Sequence, residues 1–260
     1  MKNNKISAVL FDVDGTIAET EHNGHRLAFN AAFKDFSLSW DWNTKLYSEL
    51  LDITGGKERI RYYIEKYAPD KLKTSELDAW ITHVHITKTK YFLSLLNRGL
   101  IPPRPGIIRL IKELRSAKID IAIASTTTLK NVTTLLQSTL GKNCLSWFNV
   151  IAAGDVVPQK KPAPDIYIWA LKHLGLQAQQ CIAIEDSECG LRAALAAGLT
   201  TIVTVNNYTE KQDFTGASLV LSDLGEPSEP FTIISGTSHN NKLVNIEMLN
   251  KIAFHNDKLT

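Results

Sequence analysis

The sequence predicts an α/β protein: a doubly wound, Rossmann-like parallel sheet core with an inserted all-helical cap domain. Three observations predict it. Apolar runs of strand length recur along the chain, helical patterns alternate with them, and one long stretch after the first run carries helices alone.

The runs Ile6–Phe11, Ile119–Ala124, Cys181–Ile184 and Thr201–Val205 are rich in Ile, Val and Ala, with Val150–Ala153 as a weaker fifth. Near-continuous apolar strands are what a parallel sheet covered on both faces requires. Helical periodicity fills the gaps at Pro105–Ala117, Leu129–Leu140, Pro164–Leu174 and Cys189–Ala197. Strand alternating with helix implies right-handed crossovers and a doubly wound sheet. Residues 20–102 break the rule. His25–Phe36, Asn43–Leu51, Lys57–Tyr67 and Ser75–Leu96 read as helices, with no convincing strand among them. The expected division is core over 1–19, helical cap over 20–102, core over 103–224 and a C-terminal extension over 225–260. The cap is joined through two hinges, one near Ala18–Thr20 and one at the stiff turn PPRPG, residues 102–106. In the extension, GEPSEPF and SGTSHNNK read as loops and Leu243–Ala253 as a terminal helix.

Composition narrows the function. The chain has 260 residues, 44% of them apolar and 22% charged, with a formal net charge of +2. That balance gives no long-range attraction to nucleic acid or to an anionic membrane, so neither is an expected partner. Cys144, Cys181 and Cys189 are scattered without CxxC spacing, which argues against a disulfide framework or structural zinc. The segment MKNNKISAVLF is too short for a signal peptide, and no run approaches the ~20 apolar residues of a membrane span. A cytoplasmic monomer is expected.

In an open parallel sheet, ligands bind beyond the carboxyl ends of the strands. After the first run come Asp12, Asp14 and Gly15; after the second, Ser125 and Thr126; after the fifth, GDVVPQKKPAP with Lys160 and Lys161; after Cys181–Ile184, Glu185 and Asp186. Four acids gathered at one edge repel. Two unit charges 4 Å apart cost roughly 4 kcal/mol at an effective dielectric near 20. Protonation or a bound cation relieves this, and an all-oxygen ligand set with room for water suits Mg2+. The cation in turn attracts a phosphoryl group, whose charge Lys161 and the Ser125 hydroxyl can share. Asp12 then serves as nucleophile and Asp14 as acid and base.

FDVDGT, AST, KKPAPDIY and IEDSECGLRAALAAG, in that order and each after an expected strand, resemble the motif series of the haloacid dehalogenase superfamily over most of residues 5–205. The resemblance implies Asp12 as nucleophile, Asp14 as general acid/base, and Ser125 and Lys161 as phosphate ligands. It further implies Mg2+ held by Asp12, the Asp14 carbonyl and Asp186, with Glu185 nearby. The helical insert resembles that superfamily's helical-cap subclass. Within the cap, AETE, HRLAFNAAF, LSWDW and TGGKERIRYY are similar to CbbY-type phosphatases of sugar bisphosphates such as xylulose 1,5-bisphosphate, as is the tail GEPSEPFTIISG. Here His22-Asn23-Gly24 is one residue longer than the family pattern, which shifts His25 relative to the site.

The cap also offers a place for a second phosphate. Gly55-Gly56 leads into a helix N-terminus beside Lys57, Arg59 and Arg61, and free N–H groups there favour anions. The same three cations equally fit a solvated helix face. Glu21, Lys57, Arg59, Thr126 and His25 are therefore the candidate substrate contacts, whereas Lys160 reads as an ordinary surface lysine. The expected activity is Mg2+-dependent hydrolysis of a small phosphorylated sugar. A phosphomutase similar to β-phosphoglucomutase, or a catalytically silent binding protein on this fold, are the alternatives.

Overall fold

β1 (Ala8–Phe11) is buried at every position and lies between β2 (Asp120–Ser125) and β4 (Cys181–Glu185), parallel to both. β3 (Val150–Ala153) extends the sheet beyond β2, and β5 (Thr200–Thr204) and β6 (Leu219–Leu221) extend it beyond β4. The chain is described by a computed structural model at residues 5–70 and 76–255. Among these residues the sheet runs β3-β2-β1-β4-β5-β6-β7, with β7 (Ile233–Gly236) at the edge. The order reverses at β1, and a crevice opens beyond the strand ends where neighbouring connections depart to opposite faces.

The two faces divide the strand residues by size. Val9, Phe11, Ile121, Ile123, Ile182 and Ile184 pack with α5 (Ile107–Ser116), α6 (Leu129–Leu140) and α9 (Ile246–His255). Ala8, Leu10, Ala122, Ala124, Cys181 and Ala183 meet α7 (Asp165–Leu174) and α8 (Glu188–Ala196). Small side chains on the second face let those helices approach closely. Burial of each large aliphatic is worth about 1.5–3 kcal/mol. Truncating Ile182 to Ala, which is fully buried, should cost about 2–5 kcal/mol.

Between β1 and α5 come a π-helical turn at Glu21–His25, then α1 (Arg26–Asp35), α2 (Thr44–Leu50), α3 (Gly56–Tyr67) and α4 (Leu77–Asn97). Asn43 caps α2, its side chain accepting from the Leu46 N–H at 3.0 Å. These helices build their own core from Phe29, Phe33, Trp42, Tyr47, Ile60 and Ile64. Trp42 sits 4.6 Å from the Phe29 ring and 4.8 Å, edge-on, from Phe33. α4 spans both cores: Ile81 and Val84 join the helical one, while Phe92 and Leu96 join the sheet's. Its expected start at Ser75 lies outside the described residues.

Two strands escape the pattern of apolar runs. β6 has only three residues, and β7 (Ile233–Gly236) is exposed throughout and pairs antiparallel with β6 across a register shift. The loop expected over 235–242 therefore begins inside an edge strand. The terminal helix starts at Ile246 rather than at Leu243.

Candidate active site

The site begins where β1 stops. The Asp12 N–H donates to the Ile184 carbonyl at 3.0 Å, so the first carboxylate leaves the sheet edge beside β4. The chain then turns through Gly15, which holds a φ of +85°. A side chain there would be strained and would strike the Asp186 carboxylate, so glycine is required twice over. Gly190, in the first turn of α8, leaves space in the same way for the Glu185 carboxylate.

Lys161 reaches this point from the loop before α7. Its ammonium donates to Asp12 Oδ1 at 2.7 Å and to Glu185 Oε1 at 2.5 Å. The Tyr167 hydroxyl donates to the same Glu185 oxygen, and the Asp186 N–H to Oε2 at 3.3 Å. Glu185 is fully buried, and both of its oxygens are engaged. Asp186 accepts from Asn206 Nδ2 at 2.8 Å. Ser125 ends β2, with Oγ accepting from the Thr127 N–H at 3.3 Å; Thr126 borders the same cleft.

Charge is unbalanced here. Asp12, Glu185 and Asp186 bring carboxylate oxygens within 4.8 Å of one another, all buried, around one ammonium. Burial, and then the Glu185 and Asp14 charges, outweigh Lys161 and push Asp12 up to about 8. Burial with the Asp12 and Glu185 charges pushes Asp186 well above the carboxylate range. An all-oxygen, over-acidic cluster of this kind fits a hard divalent cation such as Mg2+. Asp14 stands apart. Burial would raise its carboxyl, but His25, Thr20 and Lys88 together hold it at about 2. Thr20 Oγ1 donates to Asp14 Oδ1 at 2.5 Å, and His25 Nε2 lies 3.1 Å from the same oxygen. Both contacts fall on the same carboxylate oxygen.

Several expected substrate contacts need correction. Glu21–His25 form a π-helical turn that carries His25 into the protein interior. His25 is buried, stacked on Phe92 with ring centroids 3.8 Å apart, and bonded to Lys88 Nζ through Nδ1 at 2.7 Å. An ammonium only donates, so Nδ1 accepts and the proton sits on Nε2, facing Asp14. Both ring nitrogens are engaged, and His25 acts on Asp14 rather than on a ligand. Arg59 does not belong to a solvated face. It is 7% exposed and donates to the Leu50 carbonyl at 3.0 Å and to the Tyr47 hydroxyl at 2.9 Å. Tyr47 in turn donates to Glu21 Oε2 at 2.5 Å. Lys57, half-exposed and 4.0 Å from Asp155, borders a smaller pocket together with Glu21, Arg59 and Thr126, whereas Arg61 pairs with Asp78. Lys160 is more than a surface lysine, since it joins Glu58 of α3 at 3.3 Å to Asp155 of the core at 3.4 Å.

Asp12 and Asp186 of the acidic cluster, with Glu21 and Arg59, line one cleft of about 460 Å³. That is ample for a small phosphorylated metabolite. Thr20, Tyr47, Lys88, Tyr167 and Asn206 escaped the sequence reading. Lys88 did leave a signal. It interrupts the buried stripe Ile81, Val84, Phe92, Leu96 of α4 at a position where an apolar residue belongs.

A carboxylate cluster at the switch point of a doubly wound sheet, facing a helical insert, defines a class, and comparison with known proteins agrees. The family model for haloacid dehalogenase-like hydrolases matches residues 9–204, and the chain belongs to that family. Within it, the chain is similar to the plasmid-encoded protein CbbY of Cupriavidus necator, with 44% identity over 90% of this chain and 92% of the relative. The crystal structure of CbbY from Rhodobacter sphaeroides in complex with phosphate superposes with a TM-score of 0.77 at 44% identity, covering 84% of this chain and 94% of that one. A substituted form of the same protein, in complex with xylulose-(1,5)bisphosphate, gives 0.78 at 43% identity, covering 86% and 98%. Among the described residues no helix is long and apolar enough to cross a membrane.

Proposed function

We propose that this CbbY-like hydrolase is a Mg2+-dependent phosphatase of a small sugar bisphosphate, of the xylulose 1,5-bisphosphate type, acting through an aspartyl-phosphate on Asp12. The observation that carries the reading is the convergence of Asp12, Lys161, Asp186 and Ser125 on one side of a single cleft with Arg59 on the other. The bisphosphate named for the Rhodobacter sphaeroides relative supports the substrate class. Three free cysteines support a reducing, cytoplasmic setting.

Asp12, Asp186 and the Asp14 carbonyl would hold the cation. When bound, it supplies positive charge that returns Asp12 to its carboxylate form and offsets charge on the phosphoryl oxygens. Lys161, fixed by Glu185 and Tyr167, shares the phosphoryl charge with the Ser125 hydroxyl. Asp12 attacks phosphorus as the bond to the sugar oxygen breaks, and Asp14 gives that oxygen a proton. A phosphate beside Asp14 raises its proton affinity, since like charge disfavours the ionised form. In the second half, water attacks the phosphorus, Asp14 takes its proton, and the bond to Asp12 breaks with release of phosphate. Residues 20–102 act as the cap: Glu21 and Arg59 meet the distal end of the substrate and exclude water.

The test is a product assay with xylulose 1,5-bisphosphate and with pentose and hexose monophosphates. The reading predicts inorganic phosphate from the bisphosphate. Formation of an isomeric sugar phosphate without free phosphate would instead assign a mutase, and no turnover of any phosphorylated sugar would overturn the reading.

A further inference from the structure

The PPRPG turn that returns the chain from the helical insert carries a buried arginine. Arg104 is 8% exposed, and its four terminal N–H donors all find backbone carbonyls. Nη1 donates to the carbonyls of Gly15 and Thr204, the latter at 2.9 Å. Nη2 donates to the carbonyls of Val205 at 2.5 Å and Ser222 at 2.7 Å. Nε pairs with Glu19 at 3.1 Å. The Arg104 N–H also donates to the Ile17 carbonyl at 2.8 Å, and Pro103 bridges Ala18.

One guanidinium thus joins the catalytic loop, both linkers of the helical insert and the carboxyl ends of β5 and β6. Three of these ties end next to a working residue. Gly15 follows Asp14 and leaves the space that the Asp186 carboxylate occupies. Val205 precedes Asn206, which donates to Asp186. Glu19 precedes Thr20, which donates to Asp14.

We infer that Arg104 is a positioning residue that holds Asp14 and Asp186 in register while the cap swings on its linkers. It touches neither substrate nor reacting atoms, and it acts through the Gly15, Val205 and Glu19 contacts. The planar fork is what makes this feasible, because an ammonium has three donors at one point and cannot reach four carbonyls and a carboxylate together. The inference rests on the phosphatase reading for its kinetic consequence and on the Asp186 cluster for its binding consequence.

The experiment compares Arg104→Lys, Arg104→Ala and Glu19→Gln with the wild-type chain. It reads kcat and KM for xylulose 1,5-bisphosphate, and Mg2+ affinity of the metal-free protein by calorimetry. For Arg104→Lys we expect kcat to fall at least thirtyfold with KM within threefold, and Mg2+ affinity to weaken at least fivefold. Guanidinium ion added to Arg104→Ala should restore kcat at least fivefold. Glu19→Gln keeps the carbonyl contacts and removes only the charge of the linker pair, so kcat should fall three- to tenfold with Mg2+ affinity unchanged. Wild-type kcat and Mg2+ affinity in folded Arg104→Lys would overturn the assignment, as would a loss confined to KM. Should the lysine variant fail to fold, wild-type kcat in Glu19→Gln would overturn it. Absence of turnover in the wild-type chain would fault the phosphatase reading alone, and the calorimetric comparison would still decide Arg104.

Discussion

Replacing Lys88 by Met should stabilise the protein and slow it. Lys88 is 4% exposed, and its ammonium lies between the Phe29 and Phe92 rings at 4.8 and 5.3 Å. Burial brings its pKa from 10.5 down to about 8, despite the attraction of Glu21 and Asp14. At about 1.4 kcal/mol per pH unit, keeping it charged at neutral pH costs about 3 kcal/mol. Met has nearly the same shape and no charge, and the lost bond to His25 offsets about 1 kcal/mol of the gain. The net is about 2 kcal/mol, or a rise in Tm of roughly 4–8 °C for a chain of this size. The sign with pH follows from proton counts. Between about 8 and 10.5 the unfolded chain binds the lysine proton and the folded chain has lost it, so wild-type stability rises with pH in that window. The advantage of the Met variant should therefore be full below pH 8 and fade toward pH 10.5. Turnover should fall roughly 10- to 100-fold, part of the general acid–base contribution, because His25 loses the donor that fixes its tautomer. Thermal unfolding followed by circular dichroism across pH 6–10, with kcat at neutral pH, measures both. A variant less stable than wild type by a constant amount at every pH would refute the reasoning.

Tyr47→Phe keeps the ring contacts and removes the hydroxyl between Glu21 and Arg59, so it should cost about 1–3 kcal/mol in urea unfolding and raise KM for the bisphosphate; an unchanged midpoint would contradict the buried bridge. Burial, then the Lys88 charge, pushes His85 from 6.5 down to about 3. A depressed histidine contributes stability above 6.5 that is lost as pH falls through 3. His85→Asn should accordingly narrow the stability drop between those limits, and parallel wild-type and variant curves would count against it. Chelation with EDTA should abolish phosphate release, and Mg2+ should restore it; full turnover in exhaustively chelated protein would exclude the cation.

The sheet core was legible because its residues obey one constraint each. Strands such as Cys181–Glu185 must be apolar on both faces, and the polar residues that follow them stand out by contrast. The groups around them were not legible, because their meaning depends on partners far along the chain. Tyr167 reads as one more apolar position of α7 until Glu185 is placed beneath its hydroxyl. Arg59 fits a phosphate contact and a solvated face equally well until the Tyr47 ring and the Leu50 carbonyl close over it. Thr20 and Asn206 are ordinary loop residues in sequence and acquire roles through Asp14 and Asp186. β7 carries no periodic signal, since an exposed edge strand has no buried face to enforce one.

The central claim is that Asp12 carries the phosphoryl group. Rapid-quench digestion of the enzyme with xylulose 1,5-bisphosphate and Mg2+, read by mass spectrometry beside the folded Asp12→Asn variant, tests it most directly. The account predicts a transient phosphorylated peptide containing Asp12 and no phosphate release from the Asn variant. Wild-type-like release by that variant, or phosphate on a peptide lacking Asp12, would contradict it.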